Sequence, residues 1–448
     1  MDLLLGVALV LGVMILVHEW GHFIAARIFG VRVDVFSIGF GPRLFGWKRG
    51  ATDYRISAIP LGGYVRMAGA DMSEVDSGDE APTGSPDELM SKPRWQRAVI
   101  AFAGPAVNLV FPILLLTAYF VAIGVPYPLF EDQPVVVKGV PANSPAAMAG
   151  LQAGDTVVSI NGERSSDWAQ AGKTISQVQP NTKLSLEAEN AGTRRTLEIP
   201  VQAKDIEQPE RLIGFAPVKP LLEDVAPGMP AARAGLKESD LIVSVDGKKI
   251  QWWGEFTERI RGSNGKPVAL EVERKGQILH LTVTPAPQPS PNGRGETVYQ
   301  IGVQRHEDLS YKRVNFVDGT RDAGLKTFET IEETIGVVGR LLSGRVSVKQ
   351  LQSVVGISRA AGQAVHQGPL AVISLMVLIS VNLGILNLLP IPILDGGTIL
   401  LLAIEGGLRR DLSLAFKERF VQVGLVFLLV LFAYVMYNDV VRLLPIHS

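Results

Sequence analysis

The sequence contains no cysteine at any of its 448 positions. This absence excludes disulfide bonds and a thiolate nucleophile, and any metal site in the chain must be built from His, Asp and Glu. An excess of positive charge is also missing, because 43 Lys and Arg residues face 44 Asp and Glu residues. A chain with a formal net charge of −1 gives no indication of a nucleic-acid-binding surface.

In place of these features the sequence has long apolar runs. Hydrophobic residues make up 47% of the chain, and the mean hydropathy is +0.23. Uncharged or nearly uncharged runs cover residues 3–26, 98–130, 368–394 and 420–437. We therefore expect a polytopic α-helical membrane protein with four transmembrane helices and soluble parts. The first run lacks the basic region and the small-residue cleavage site of a signal peptide, so we expect it to be retained.

The first run carries the segment His18-Glu19-Trp20-Gly21-His22. Residues four apart share a face of a helix, so His18 and His22 can close on one zinc ion. Glu19 can take a proton from a water molecule activated there. Ionisable residues at the edge of a membrane helix are costly and usually functional. The alternative is a pair of interfacial histidines with an incidental glutamate.

A catalytic zinc site needs a third protein ligand. Asp395 is the strongest candidate, because it directly follows the third apolar run and two prolines, Pro390 and Pro392, that should break the helix at membrane depth. A carboxylate on irregular backbone near the bilayer needs a cation. Glu405 is the second candidate, although it lies farther along the chain, near a basic loop.

Two asparagines in the apolar runs are further candidates for the site. Asn387 could donate hydrogen bonds to a substrate carbonyl or backbone. Asn108 ends the segment Gly104-Pro105-Ala106-Val107-Asn108, whose small residues let another helix approach closely. For both asparagines the alternative is ordinary helix packing.

Residues 33–67 alternate polar and apolar side chains around glycines, which predicts β-hairpins. An edge strand there could hold a substrate in an extended conformation. Gly62, Gly63 and Tyr64 are the expected place where two backbones approach closely. The alternative is a plain β-rich cytoplasmic subdomain. Residues 71–90 are acidic and rich in Ser, Gly and Pro, which is typical of a mobile loop.

An internal repeat lies between the second and third runs. Residues 140–162 and 225–247 share a pattern of Pro-Ala-Ala, Ala-Gly-Leu, a later Asp and a closing Asn-Gly or Asp-Gly. The pattern resembles PDZ domains of the kind found with bacterial proteases. We expect each copy to end in a strand, at residues 212–215 and 300–303. The resemblance implies grooves that bind a peptide or a C-terminus, or that serve only as spacers or size filters.

The stretch that follows has apolar residues at helical spacing, which predicts an amphipathic helix packed on the PDZ pair or lying at the membrane surface. These residues are Phe316, Leu325, Phe328, Ile331, Ile335, Val338 and Leu342.

Basic residues are concentrated in the loops after the first run and before the fourth, so these loops should be cytoplasmic, with both termini and the PDZ pair outside. The expected segments are 1–28 (first span), 29–97 (cytoplasmic β-hairpin region), 98–126 (second span), 127–220 and 221–307 (two PDZ-like α/β domains), 308–366 (amphipathic helical region), 367–397 (third span), 398–419 (cytoplasmic loop) and 420–440 (fourth span).

Together these features resemble the site-2 protease family of intramembrane zinc metalloproteases, in its bacterial subgroup with a PDZ pair between the second and third spans. The segments that carry the resemblance are residues 18–22, 36–41, 60–64, 104–108 and 387–397, together with both PDZ repeats.

The resemblance implies that one zinc ion is held by His18, His22 and Asp395, and that Glu19 is the catalytic base. It implies that Asn387, Pro390 and Pro392 shape the site. The expected substrates are single-span membrane proteins, namely an anti-sigma factor of the sigma-E envelope-stress response and leftover signal peptides, with the PDZ pair as a size filter. The expected location is the bacterial inner membrane.

Two other functions use the same features. Intramembrane His and Asp residues also bind ions in a metal transporter, but no inverted membrane repeat is visible in this sequence. A catalytically silent scaffold could use the PDZ pair to hold partners, but it would have no need of Glu19 between the two histidines.

Overall fold

The computed structural model describes residues 2–69, 83–206, 208–226, 228–289, 297–343 and 354–443. The chain forms two compact units. We name Met1–Val125 together with Arg313–Ser448 the helical unit, and Pro126–Lys312 the repeat unit. Most of the predicted loop 71–90 lies outside the described residues.

The helical unit begins with a helix, a hairpin and a second helix: α1 (Asp2–Ile28), β1 (Val33–Arg49), β2 (Thr52–Met67) and α2 (Arg94–Ala122). A short 3-10 turn at Leu89–Ser91 precedes α2. The chain leaves α1 through Gly30, whose φ of +65° is left-handed and therefore suits glycine.

The hairpin of β1 and β2 is long and irregular. Its strands are antiparallel, with repeated register shifts along their length. Large apolar side chains near its tip are exposed: Phe40, Leu44, Phe45, Trp47, Ile56 and Ile59. An exposed apolar cluster of this kind marks a surface that contacts a membrane or another protein.

The repeat unit contains two similar halves. The first has β3 (Val125–Pro128), a 3-10 turn at Leu129–Asp132, α3 (Pro145–Met148), β4 (Thr156–Ile160), β5 (Glu163–Arg164), α4 (Trp168–Ser176), β6 (Thr182–Asn190), β7 (Thr193–Val201), α5 (Ala203–Ile206) and α6 (Glu210–Ile213). The second has β8 (Leu222–Val225), α7 (Pro230–Arg233), β9 (Leu241–Val245), β10 (Lys248–Lys249), α8 (Trp253–Gly262), β11 (Val268–Arg274), β12 (Gln277–Val283), β13 (Ala286–Pro289), β14 (Thr297–Gln300), β15 (Val303–Arg305) and β16 (Leu309–Lys312).

Each half contains a four-stranded antiparallel sheet with the same connectivity. The strand orders are β5-β4-β6-β7 and β10-β9-β11-β12. Each half also has its own buried apolar core. The sequence repeat is therefore a structural repeat. At the two ends of the unit, β3 pairs with β16.

The aspartate of the repeated motif is buried in both halves. Asp155 accepts hydrogen bonds from the Gln152 N–H, from Asn190 and from Arg195. Burial works against the charge of Asp155, but these hydrogen bonds outweigh it and hold its pKa below the usual range. Asp240 is paired with Arg274, whose Nε and Nη2 lie 2.6 and 2.7 Å from its two oxygens.

The prediction of a strand at residues 212–215 is wrong. Pro209 precedes a helical turn, α6, that includes residues 212 and 213, and Gly214 ends it with a φ of +79°. Only Phe215 is paired as in a strand, through its N–H to the Gly139 carbonyl at 2.8 Å. The second half comes closer to the prediction, with two strands separated by a turn at Gly302.

Over the residues that the structure describes, the helical unit continues with α9 (Phe316–Leu342), α10 (Val354–Gln367), α11 (Pro369–Asn387), α12 (Asp395–Leu408) and α13 (Leu414–Leu443). Among the described residues, four helices are long and apolar enough to cross a membrane: Val10–Ile28, Arg94–Ala122, Pro369–Asn387 and Ala415–Tyr437.

The prediction of a loop at residues 398–419 is wrong over its first half, which belongs to α12. The prolines interrupt the chain before Asp395, and none lies within residues 395–408, so the apolar residues 399–404 resume a helix. Arg409, in a left-handed conformation with a φ of +54°, ends it.

The amphipathic helix α9 packs through a different stripe from the one predicted. Its buried residues are small: Gly319, Ala323, Thr327 and Thr334. They let α9 pack on α2 and α11, with Thr334 donating to the Asn382 side chain at 3.0 Å. The large apolar residues Phe316, Leu325 and Phe328 are exposed. An exposed apolar flank of this kind suits contact with lipid.

Candidate metal centre

The two motif histidines lie one turn apart on α1, and both are buried, with 7% and 8% exposure. Their Nε2 atoms are 3.3 Å apart. Buried imidazoles with converging ring nitrogens need either a shared proton or a shared cation between them.

The outer ring nitrogens show which protonation state this arrangement favours. Nδ1 of His22 donates to the Ile100 carbonyl at 2.8 Å, which leaves a lone pair on Nε2. The carboxamide of Asn108 lies 3.1 Å from Nδ1 of His18. As placed, the Asn108 Oδ1 is buried without a partner; turning the amide over would offer that oxygen to an Nδ1–H of His18. Both Nε2 atoms then face the centre as acceptors.

Two glycines allow α2 to approach the histidines this closely. A Cβ on Gly104 would lie 2.2 Å from Nε2 of His22, and a Cβ on Gly21 would lie 2.5 Å from the Ala103 carbonyl oxygen. Because no larger residue fits at either place, the helix crossing itself sets the position of the His22 ring.

Asp395 reaches the histidines from the first turn of α12. Its Oδ2 lies 3.2 Å from Nε2 of His18, and its Oδ1 lies 3.4 Å from Nε2 of His22. The loop before it folds back tightly, since a Cβ on Gly396 would lie 2.2 Å from the Leu389 carbonyl oxygen. Ile393 has a left-handed φ of +78°, which for a β-branched residue stores about 1–3 kcal/mol of strain. Such strain is typical of segments that position functional groups.

The spacing of the three ligands fits a zinc ion. Tetrahedral ligands at about 2.0–2.1 Å from the metal lie about 3.3–3.4 Å from one another. The Nε2 atoms of His18 and His22 are 3.3 Å apart, and they lie 3.2 and 3.4 Å from two different oxygens of Asp395, Oδ2 and Oδ1 respectively. One ligand atom from each of the three residues lies within 4.8 Å of the others, which is close enough for one shared ion. Two imidazoles and one carboxylate are also a donor set that zinc uses in catalytic sites, where the fourth position stays open.

Glu19 lines the same cavity as these ligands, under the hairpin. A Cβ on Gly63 would lie 2.8 Å from the Ser37 carbonyl oxygen and 3.3 Å from Cγ of Glu19, so β2 passes directly over the carboxylate. Gly62, with a φ of +148°, is covered by the Phe40 ring.

Tyr64 extends the contact between the hairpin and the cavity. Its ring stacks on Phe40, with centroids 6.0 Å apart, and its hydroxyl accepts from Arg55. The structure therefore places all three hairpin candidates, Gly62, Gly63 and Tyr64, at the edge of the centre or in its lining.

Asn387 contacts the centre, and the two prolines lie in the segment between Asn387 and Asp395. The Asn387 Nδ2 is 3.2 Å from Nε2 of His18, so its amide borders the metal ligands. Pro392 packs on α13, where a Cβ on Gly424 would lie 2.2 Å from it. Pro390 is exposed in the turn between α11 and α12.

Glu405 does not join the histidines. It is fully buried on α12 and is paired with Lys417, whose Nζ lies 3.1 Å from its Oε1. Neither this pair nor the Ile100 carbonyl behind His22 could be predicted from the sequence, because neither a distant lysine nor a backbone group leaves a local motif.

The three metal ligands, Glu19, Gly63, Tyr64 and Asn387 line one cavity of about 450 Å³ inside the helical unit. Its lining also includes the charged residues Glu405, Lys417 and Arg97. Apolar side chains complete the lining, among them Leu401, Leu402, Phe420 and Val421. This arrangement suits hydrolysis of an extended apolar segment beside the metal ligands.

Comparison with known sequences gives a consistent result. The sequence profile of peptidase family M50 matches residues 6–431. The chain is 35% identical over 450 residues to the regulator of sigma-E protease RseP of Salmonella typhimurium, covering 97% of each chain. It is 34% identical over 452 residues to the RseP protein of Escherichia coli K12, again covering 97% of each.

A protein of Neisseria meningitidis serogroup A that is named as a zinc metalloprotease is 33% identical over 451 residues, which is 98% of this chain and 99% of that one. Among solved structures, the PDZ domain of an SdrC-like protein from Listeria monocytogenes aligns with 19% of this chain and 84% of its own, at 21% identity. Its TM-score of 0.17 is too low to support a fold assignment.

Proposed function

The chain belongs to peptidase family M50 and is an intramembrane zinc metalloprotease of the site-2 type, and we propose that the metal centre described above is its active site. The family expected from the sequence is thus confirmed. The observation that carries the proposal is the convergence of His18, His22 and Asp395 at zinc-like spacing.

Each residue of this centre has a separate role in peptide hydrolysis. His18, His22 and Asp395 would hold a zinc ion, which would supply Lewis acidity for the scissile carbonyl and for the attacking water. Glu19 takes the proton from the attacking water and passes it to the leaving amine. The Asn387 amide donates a hydrogen bond to the carbonyl oxygen as charge develops on it. Asn108 and the Ile100 carbonyl hold the imidazoles in orientation.

The hairpin presents the substrate. Peptide bonds in a membrane helix are shielded by their own hydrogen bonds, so the helix must open before it is cut. The edge of β2 at Gly62 and Gly63 offers backbone groups to an opened strand directly beside Glu19. The exposed apolar tip of the hairpin would lie in the lipid.

The substrates are membrane proteins within a lipid bilayer. We assign single-span membrane proteins as the substrate class, and an anti-sigma factor and leftover signal peptides as members of it. Relatives named regulator of sigma-E protease support this assignment. The apolar helices and these relatives indicate an inner-membrane protein. We further assign a PDZ fold to both halves of the repeat unit, a periplasmic position to that unit and to both termini, and a size-filtering role to the pair. Their four-stranded sheets and the sequence repeat support the fold assignment.

Glu19→Gln tests the assignment. The wild-type chain and the variant are purified in detergent, bound zinc is measured by mass spectrometry, and a single-span model substrate is added. We expect one zinc ion per chain in both proteins, and a loss of cleavage of at least about 100-fold in the variant, since general base catalysis contributes about 10²–10⁴-fold.

Trp20→Phe is a matched control, because Trp20 is the exposed neighbour of Glu19 in the same motif. It should retain both zinc and cleavage. Equal cleavage by wild type and Glu19→Gln would remove Glu19 from the chemistry. Zinc binding without cleavage of any single-span substrate would favour the scaffold, and zinc flux across liposomes would favour the transporter.

A further inference from the structure

The helical unit holds a second buried ionic group, which we name the ionic cluster: Glu405, Lys417 and Arg94. Glu405 is fully buried on α12, and Lys417 is 7% exposed on α13. The Lys417 Nζ lies 3.1 Å from the Glu405 Oε1. These charges lie outside the metal centre, and the proposed chemistry does not use them.

The cluster joins three helices at one carboxylate. Glu405 also accepts the Leu412 N–H at 3.1 Å, which ties the connection between α12 and α13 to the side chain. On the other side, Nε of Arg94, from the start of α2, lies 3.8 Å from the second oxygen of Glu405. Arg94 is held in turn by Asp411 at 2.8 Å.

Stability alone does not explain the Glu405–Lys417 pair. Removing two charges from water is expensive, and replacing a buried ion pair by apolar residues is often neutral or stabilising. What such a pair does supply is a fixed register between the elements that carry it. Here those elements are the helix that begins with Asp395 and the final helix of the chain.

The first turns of α13 border the catalytic cavity. Phe420 and Val421 follow Lys417 by about one helical turn, and they line the cavity together with Leu401 and Leu402 of α12. Among the described side chains of α13, only Lys417, Gly424 and Val435 are buried. The position of Phe420 and Val421 therefore depends on the ion pair, on the contact between Gly424 and Pro392, and on the packing of α13 against α10.

We infer that Glu405 and Lys417 are positioning residues for proteolysis: their pair fixes α13 on α12, so that Phe420 and Val421 align the substrate strand beside the metal centre. This inference rests on the proposed function. It predicts that losing the pair weakens substrate binding and leaves the metal centre intact.

The kinetic test uses the full chain in proteoliposomes with a single-span substrate. Glu405→Gln, Lys417→Met and the double variant are compared with Lys417→Arg, which keeps the pair, and with Glu418→Gln, an exposed neighbour. We expect KM to rise at least fivefold in the first three, with kcat within about twofold and one zinc ion retained. The two controls should match wild type.

The double variant separates positioning from stability. If each residue of the pair served only to neutralise the buried charge of the other, removing both charges would restore the wild-type KM, because no unpaired charge is left. We expect instead that KM stays raised in the double variant while its thermal stability returns to the wild-type value. Recovery of KM in the double variant would overturn the inference, as would loss of zinc in the single variants.

A second readout does not depend on proteolysis. Because the chain lacks cysteine, Val421→Cys is a unique thiol in the cavity lining, and its rate of maleimide labelling reports access. We expect Glu405→Gln to raise that rate at least threefold, with Val430→Cys, an exposed site on the same helix, unchanged. An unchanged rate at Val421→Cys would refute the positioning role even if no substrate were cleaved. Failure of the proposed function would appear separately, as absence of cleavage by wild type.

Discussion

Gly104→Ala adds one methyl group at the point where α2 crosses the motif helix. The new Cβ would lie 2.2 Å from Nε2 of His22 and 2.7 Å from two ring carbons, whereas ordinary contact begins at 3.4 Å. The ring and α2 must therefore move apart by about 1.2 Å to restore normal contact. The imidazole has little freedom to rotate away, because its Nδ1 is held by the Ile100 carbonyl.

A shift of this size is large for a metal site. Ligand distances are held within about 0.2 Å of their ideal values in working sites. We therefore expect zinc affinity to fall at least about 100-fold, which corresponds to about 2.7 kcal/mol. Cleavage should fall in parallel when free zinc is buffered at a low concentration, and it should recover in part when zinc is raised.

The assay is competition for zinc between the purified chain and a chromogenic chelator. Gly12→Ala is the matched control, since Gly12 lies on α1, the helix that carries His22, with nothing within 4 Å of its would-be Cβ, and alanine favours helix there. Zinc affinity within about twofold of wild type in Gly104→Ala would refute the reasoning, because it would mean that the crossing is not rigid enough to position His22.

Two further predictions follow from the hairpin and the repeat unit. Gly63→Val places a branched side chain against the Ser37 carbonyl and Cγ of Glu19, so cleavage should fall at least tenfold while zinc binding stays unchanged. Gly50→Ala, in the open hairpin turn, is the control. Equal cleavage by the two variants would contradict the role of the β2 edge. Asp155 has a lowered pKa in the folded chain, so it adds stability above its unfolded pKa of about 3.9, and this stability is lost as pH falls through the folded value. The rate of hydrogen exchange in strands β4 to β7 of the full chain should therefore increase below about pH 4 in wild type. In Asp155→Asn that rate should depend less on pH. The same acid sensitivity in both proteins would contradict the stabilising role of the Asp155 carboxylate.

The parts of the fold that the sequence predicts are those encoded locally. The apolar runs predicted four membrane helices because length and composition alone decide whether a segment can span a bilayer. The histidine pair was recognisable because a spacing of four residues fixes a shared helical face. Asp395 stood out because two prolines and a carboxylate near the bilayer form an unusual combination.

The errors occurred where tertiary contacts decide. The predicted loop at residues 398–419 is wrong up to Leu408, because α12 continues to that residue with Glu405 buried against Lys417. The strand predicted at 212–215 failed because Pro209 and Gly214 bracket a helical turn. The buried face of α9 consists of small residues, and a helical periodicity defined by large apolar residues does not identify them.

The pairing of β3 with β16 brings the entry and the exit of the repeat unit side by side. The chain between those two strands, residues 129–308, therefore leaves and returns at neighbouring backbone positions. A segment with adjacent ends can change in length or be exchanged while the residues outside it keep their sequence. His18, His22 and Asp395 all lie outside it, so the segment can vary independently of the metal centre.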